Sequence, residues 1–361
     1  MQSRKINNYL LALLITLWLV VTTLAPAYAS PEEVKREETL IADICGGRAP
    51  APYDCWNPFI PGNKRDTGFH ELCMEPLFFV NLHTGEYVPW LAEKYEYSPD
   101  YKVLKVYLRR GIKWNDGHPF TADDIVFTYK MLLKYAPKLF YSASVKKWVE
   151  DVRKLDNYTF EIVLKEPNPR FHLMQSAFPV CRIWGGMPIV PKHIWEGVDP
   201  LKFKNYPPVG TGPYKVVKAS ETAFVWERRD DWWATEIFHI RPAPKRIIFT
   251  AYGPPETKAM KMAVHELDTV FMFLPSVFLS LKAKNPYVGS WFKGPPYAWT
   301  DPCPRHLYLN LAKYPYNITE VRKAISLAIN RTEIVVVALE NGTRPTWGPF
   351  PYYGGLKPYF D

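Results

Sequence analysis

The chain has 361 residues, of which 47 % are hydrophobic and 16 % aromatic, with 13 Trp, 35 Pro and a formal charge of +9. That composition excludes a disordered chain, fits a loop-rich globular protein with stiffened connections, and at this length suggests two lobes. Basic residues are interleaved with acids, as in Arg228-Arg229-Asp230-Asp231, and no block of about five or six like charges occurs, which argues against nucleic acid as a partner.

In chain order, Arg4 and Lys5 precede an apolar run from Leu10 to Leu24, and Ala27-Tyr28-Ala29 follows with small residues around a cleavage point. This pattern predicts a secretory signal over residues 1–29 and hence an exported chain, because the run is shorter than the roughly 18 to 20 residues of a spanning helix. Loss of Arg4 and Lys5 with the signal leaves a charge of +7. Five cysteines in an exported chain leave at least one unpaired. Cys45 and Cys55 flank a short Gly/Pro-rich segment and are the first candidates for a disulfide; Cys73, Cys181 and Cys303 stay open. Sequons at Asn157, Asn317, Asn330 and Asn341 would permit glycans, although so short a pattern recurs by chance.

After a loop-rich Ala51 to Gly68, a mixed α/β region runs from Glu71 to about Trp184. Within it, Leu104, Val106 and Leu108 alternate with Val103, Lys105 and Tyr107, the period-two pattern of a strand with one buried face. Gly111 breaks the alternation, which resumes at Ile112 and Trp114 before the turn Asn115-Asp116-Gly117. Thr121 stands three residues before Asp124 and predicts a capped helix with Ile125, Val126, Tyr129, Leu132 and Leu133 on one stripe. Tyr135 to Val149 reads as helical or irregular, and a strand pair, Val152–Leu155 and Thr159–Leu164, brackets the turn Asp156-Asn157-Tyr158.

A second region opens near Met187. Gly210 and Gly212 form a tight turn feeding a strand Tyr214–Lys218, paired with Phe224–Arg228; another strand covers Arg246–Thr250 and a helix Glu256–Val264. Pro/Gly-rich Asn285 to Pro304 then separates a last unit, a strand His306–Asn310 and a helix starting at Thr319.

The usual catalytic and nucleotide motifs do not occur. Gly210-Thr211-Gly212 continues into Pro213, which removes an amide that a phosphate cradle uses, and His265-Glu266 lacks the second histidine of a zinc-protease motif. Cys303 and His306 without a second ligand pair are better explained structurally than as a metal site. Asp123 and Asp124 sit in a helix first turn, where the helix dipole accounts for them.

The run Pro89-Trp90-Leu91-Ala92-Glu93, then Leu108-Arg109-Arg110-Gly111-Ile112-Lys113-Trp114-Asn115-Asp116-Gly117-His118-Pro119 and Thr121-Ala122-Asp123-Asp124, resembles the signature of the family 5 extracellular solute-binding proteins of ABC importers, which includes dipeptide, oligopeptide and nickel binders. Val209–Tyr214, Glu266-Leu267-Asp268 and Tyr308 to Arg331 are similar to later stations of the same family, in family order. The resemblance implies an α/β fold of the two-lobe periplasmic-binding-protein type, with an extra subdomain in lobe I and an incomplete second lobe. It divides the chain into residues 30–77 as the first part of lobe I, 78–186 as the extra subdomain, 187–304 as the rest of lobe I, and 305–361 as the start of a lobe II cut short. It puts the hinge at Arg305, Tyr308 and Asn310.

The function that follows is a non-enzymatic binder that captures short oligopeptides or oligosaccharides and hands them to permease subunits in the membrane. Such a protein is expected to be a monomer at the extracellular face or in the periplasm, with no cofactor, metal or catalytic residue. The aromatic loop Trp56, Asn57, Pro58 and Phe59 is the candidate ligand-binding platform. The abundance of Trp leans toward a sugar, the family's commonest role toward a peptide. The competing class is a secreted glycoside hydrolase, whose two carboxylates need no fixed spacing in sequence.

Overall fold

The computed structural model describes residues 34–44, 52–60, 67–81, 84, 86–174, 186–297 and 305–348. The chain divides into two units, Met1–Arg36 and Glu37–Asp361; the expected signal and Cys45, Cys181 and Cys303 lie outside the described residues. In the second unit the strands are β1 Thr39–Asp43, β2 Phe78–Val80, β3 Tyr87–Pro89, β4 Ala92–Tyr97, β5 Val103–Leu108, β6 Val149–Asp156, β7 Thr159–Leu164, β8 Tyr214–Ala219, β9 Ala223–Arg228 and β10 Arg246–Thr250.

They form a four-stranded sheet in the order β1-β10-β9-β8, a second in the order β4-β5-β7-β6, and the small pair β2-β3. All pairings are antiparallel except that of β1 with β10, where Thr39 stands opposite Arg246. In β5 the alternation does what its chemistry dictates: Leu104, Val106 and Leu108 are buried while Val103, Lys105 and Tyr107 are half-buried.

The strand, turn and capped helix all form. Gly117 takes a φ of 90°, its N–H donates to Trp114 O at 3.0 Å, and Trp114 N–H donates to His118 O at 2.8 Å. The helix runs Ala122–Tyr135 with a full capping box: Thr121 Oγ1 accepts from Asp123 N–H at 3.3 Å, and Asp124 Oδ2 accepts from Thr121 N–H at 2.9 Å. Ile125, Tyr129 and Leu132 are its buried stripe, with Val126 and Leu133 packed at its margin.

Two apolar cores result. One fills the space between the β4-β5-β7-β6 sheet and the helix Ala122–Tyr135, and draws in Phe59, Met187, Val190, Trp195 and Trp232 from far along the chain. The other lies against the first sheet and contains Trp56, Phe69, Cys73, Tyr214, Phe224, Trp226 and Ile247.

The structure departs from expectation in places. His306–Asn310 makes no strand and is exposed at every position except the half-buried Leu309. The helix beginning at Thr319 stops at Ala328 with no buried residue, and a short turn Arg331–Glu333 and a π-helical turn Ile334–Ala338 follow. The helices Trp233–Phe238 and Pro275–Lys284 were not anticipated. Cys55 is half-buried with a free thiol, and Cys45, its expected partner, lies outside the described residues. The four sequon asparagines, Asn157, Asn317, Asn330 and Asn341, are all exposed.

Candidate ligand-binding site

The loop expected to be a ligand platform is instead a core clamp. Trp56, Asn57 and Phe59 are each 0 % exposed and Pro58 is buried with them. Trp56 meets Phe69, Phe224 and Trp226 edge to face, at ring separations of 5.6, 5.4 and 5.5 Å. The Asn57 amide donates to Pro200 O and Phe203 O, both at 2.8 Å, and its carbonyl accepts from Phe59 N–H at 2.9 Å. Asn205 donates to Trp56 O at 3.1 Å. With every polar group turned inward and both aromatic rings enclosed, the four residues tie the segment 200–205 to the core and offer a ligand no open face.

The turn at Gly210 and Gly212 is equally closed. A Cβ on Gly210 would lie 2.1 Å from Cys73 O, and one on Gly212 2.2 Å from Leu72 O, so glycine is required by close backbone approach. Arg229, 4 % exposed, holds the turn by donating to Gly212 O at 3.1 Å and, across to the capped-helix unit, to Trp114 O at 3.2 Å. It also donates to Gly210 O at 3.5 Å and pairs with the Asp231 carboxylate at 3.1 Å. Beside the turn, burial pushes the Cys73 thiol up to about 12, so it stays a protonated, inert thiol.

Behind these lies a buried carboxylate that sequence reasoning missed. Glu75 Oε1 accepts from the indoles of Trp90 at 3.0 Å and Trp232 at 3.2 Å, and Oε2 from that of Trp233 at 2.8 Å. Three indole donors satisfy the buried carboxyl oxygens, which makes the cluster a structural node.

Exposed chemistry collects in two places. Asp116 and His118 in the tight turn meet His193, whose ring Nε2 donates to Asp116 Oδ2 at 2.6 Å. Burial works against the Asp116 carboxylate, yet the hydrogen bond from His193 and the backbone N–H of His118 hold it below the usual range. The expected hinge residues Arg305, Tyr308 and Asn310 are all exposed, and Arg305 Nη2 lies 4.0 Å from Met272 Sδ. Several large apolar side chains of the later part of the chain face solvent: Tyr308 at 85 %, Trp291 at 79 % and Tyr287 at 89 %, with Phe271, Met272 and Tyr314 also exposed.

The family whose model matches the chain is that of the bacterial extracellular solute-binding proteins, family 5, middle part, over residues 86–360. The periplasmic oligopeptide-binding protein OppA of Salmonella typhimurium is 28 % identical over 298 residues, 77 % of this chain and 50 % of its own. The nickel-binding periplasmic protein of Escherichia coli is 25 % identical over 266 residues, 71 % of this chain and 46 % of its own. Among solved structures, the periplasmic oligopeptide-binding protein of a Thermotoga maritima oligopeptide ABC transporter matches with a TM-score of 0.73 and 32 % identity over 86 % of this chain and 55 % of that one. It is also solved with mannohexaose bound. The chain therefore spans about half the length of these relatives, all of which are named as binding proteins, and none of them supports the hydrolase alternative. Among the described residues no helix is long and apolar enough to cross a membrane. With the matched range covering most of its length, the chain belongs to the family 5 bacterial extracellular solute-binding proteins.

Proposed function

We propose that this chain acts as the substrate-binding component of an ABC importer, capturing short oligopeptides or oligosaccharides outside the cell membrane and delivering them to permease subunits. The observation that carries the reading is the 86 % coverage at 32 % identity against an oligopeptide-binding protein that has also been solved with mannohexaose bound. The exposed faces of Tyr287, Trp291 and Tyr308 support it, since an aromatic face stacks on a sugar ring or an apolar peptide side chain. Arg305, Tyr308 and Asn310 form the hinge on this reading, with residues 305–361 beginning the second lobe. Closure about the hinge buries the ligand and expels water from both faces, so affinity comes from apolar burial and polar contacts that need no bond-making step. The protein works as an exported monomer, in the periplasm or at the extracellular face, without nucleic acid and without catalysis.

The test is calorimetric titration of the purified chain with mannose oligosaccharides and with short peptides, with the same mixtures assayed for new reducing ends and free amines. Binding of one class with the ligand recovered intact is expected. Release of hydrolysis products, or no binding to either class, overturns the proposal.

A further inference from the structure

We propose that Asp116, His118 and His193 form a surface site for a divalent transition cation of the zinc, nickel or copper type. The three side chains bring one carboxylate oxygen and two imidazole nitrogens within 4.8 Å of one another. Nε2 of His193 lies 2.6 Å from Asp116 Oδ2, Nδ1 of His118 lies 3.4 Å from Asp116 Oδ1, and the two rings stack with centroids 3.9 Å apart. A tetrahedral zinc ion with bonds of about 2.0 Å holds its ligand atoms about 3.3 Å apart, so the donors need move only by roughly an ångström to enclose it. All three residues are exposed, which leaves room for that adjustment and for water to complete the coordination shell.

The backbone that carries the donors is fixed before any ion arrives. The turn is closed by the Gly117 and Trp114 N–H bonds, by His118 N–H on Asp116 Oδ1 at 3.2 Å, and by Asn115 N–H on Gly210 O at 2.9 Å. His193 is placed by the helical turn Lys192–Trp195, whose first N–H is held by Asp124 Oδ1 at 2.8 Å. The cation takes the place of the direct His193–Asp116 contact. Two imidazoles and a carboxylate select borderline transition cations over calcium or magnesium, which prefer oxygen ligands throughout. The site is built on the capped-helix unit and shares no residue with the segment 305–310, so it stands or falls independently of the transport reading.

The experiment uses tag-free protein with its accessible thiols blocked by iodoacetamide. Zinc is titrated by calorimetry, and copper(II) at one equivalent is examined by electron paramagnetic resonance. One saturable zinc site and superhyperfine coupling from two nitrogens are expected. His118→Gln and His193→Gln, both at exposed positions, should each weaken zinc binding more than about tenfold, at least the loss that follows removal of an outer-shell partner. Circular dichroism melts of both variants should match the parent in metal-free buffer. Absence of a stoichiometric site, or zinc affinity unchanged in both histidine variants, overturns the proposal. Asp116→Asn keeps one oxygen to accept His118 N–H and replaces the oxygen that faces His193 with an amide donor, which disturbs the His193 contact as well as the charge, so the histidine variants carry the decision.

Discussion

Replacing Trp56 by alanine distinguishes a core clamp from a ligand platform. The side chain is fully buried, touches three aromatic rings edge to face, and donates its indole N–H to Tyr53 O at 3.0 Å. Truncating a buried Trp costs about 3–5 kcal/mol from lost transfer energy and the cavity left behind. Little should be added for the orphaned Tyr53 carbonyl, because Tyr53 is itself exposed and water can reach it. At about 2 °C per kcal/mol for a chain of this size, the melting temperature should fall by roughly 6–10 °C. Trp56→Phe keeps most of the ring contacts and should lose less than half as much. The assay is thermal unfolding followed by near-ultraviolet circular dichroism, together with ligand titration below the transition. A variant that melts with the parent but no longer binds ligand would refute the clamp and restore the platform.

Thr121→Ala should lower stability by about 1 kcal/mol in urea unfolding, because the capping box loses its hydroxyl, with ligand preference unchanged. Gly210→Ala should give little soluble protein, since its Cβ meets the Cys73 carbonyl, whereas Gly117→Ala, with open space around its Cβ, should cost only the 1–2 kcal/mol or so of a left-handed residue; comparing soluble yield and melting of the two checks this. The hydrogen bond from Arg229 holds the Asp231 carboxyl below its usual range, against the effect of burial. Its contribution to stability is therefore present above about pH 4 and lost as the pH falls through the lower folded value, so the gap between parent and Asp231→Asn in denaturant midpoint should close in acid. Limited proteolysis should cut first within residues 305–348, where the helix Thr319–Ala328 buries nothing, and leave a resistant core upstream.

The parts of the fold legible in sequence were those whose signals are local. Alternation in Val103–Leu108, the turn at Gly117 and the Thr121/Asp124 cap lie within one short stretch, and each is decided by its own neighbours. β1 escaped notice because Thr39-Leu40-Ile41-Ala42-Asp43 has no alternation and its partner is the distant β10. The helix Pro275–Lys284 lacks a side-chain cap and spreads its apolar residues around its circumference. Trp56 was misread for a related reason: a loop rich in aromatics looks the same whether its rings meet ligand or core, and only Phe224 and Trp226, far along the chain, decide it. The histidine pair was invisible because His118 and His193 join only when the helical turn at Lys192 docks on Asp124.

The parallel pairing of β1 with β10 bears on how the chain acquires its shape as it is made. The β4-β5-β7-β6 sheet is complete once Leu164 has emerged, and its strands are all antiparallel neighbours of modest separation. The other sheet must wait, because Thr39 finds Arg246 only after the intervening chain has been synthesised. At about 5–20 residues per second that interval is roughly 10–40 s. Throughout it the earliest strand carries bare backbone donors and acceptors. A nascent chain so arranged stays unfinished until β10 arrives, a state that is hazardous if another extended segment reaches that strand first.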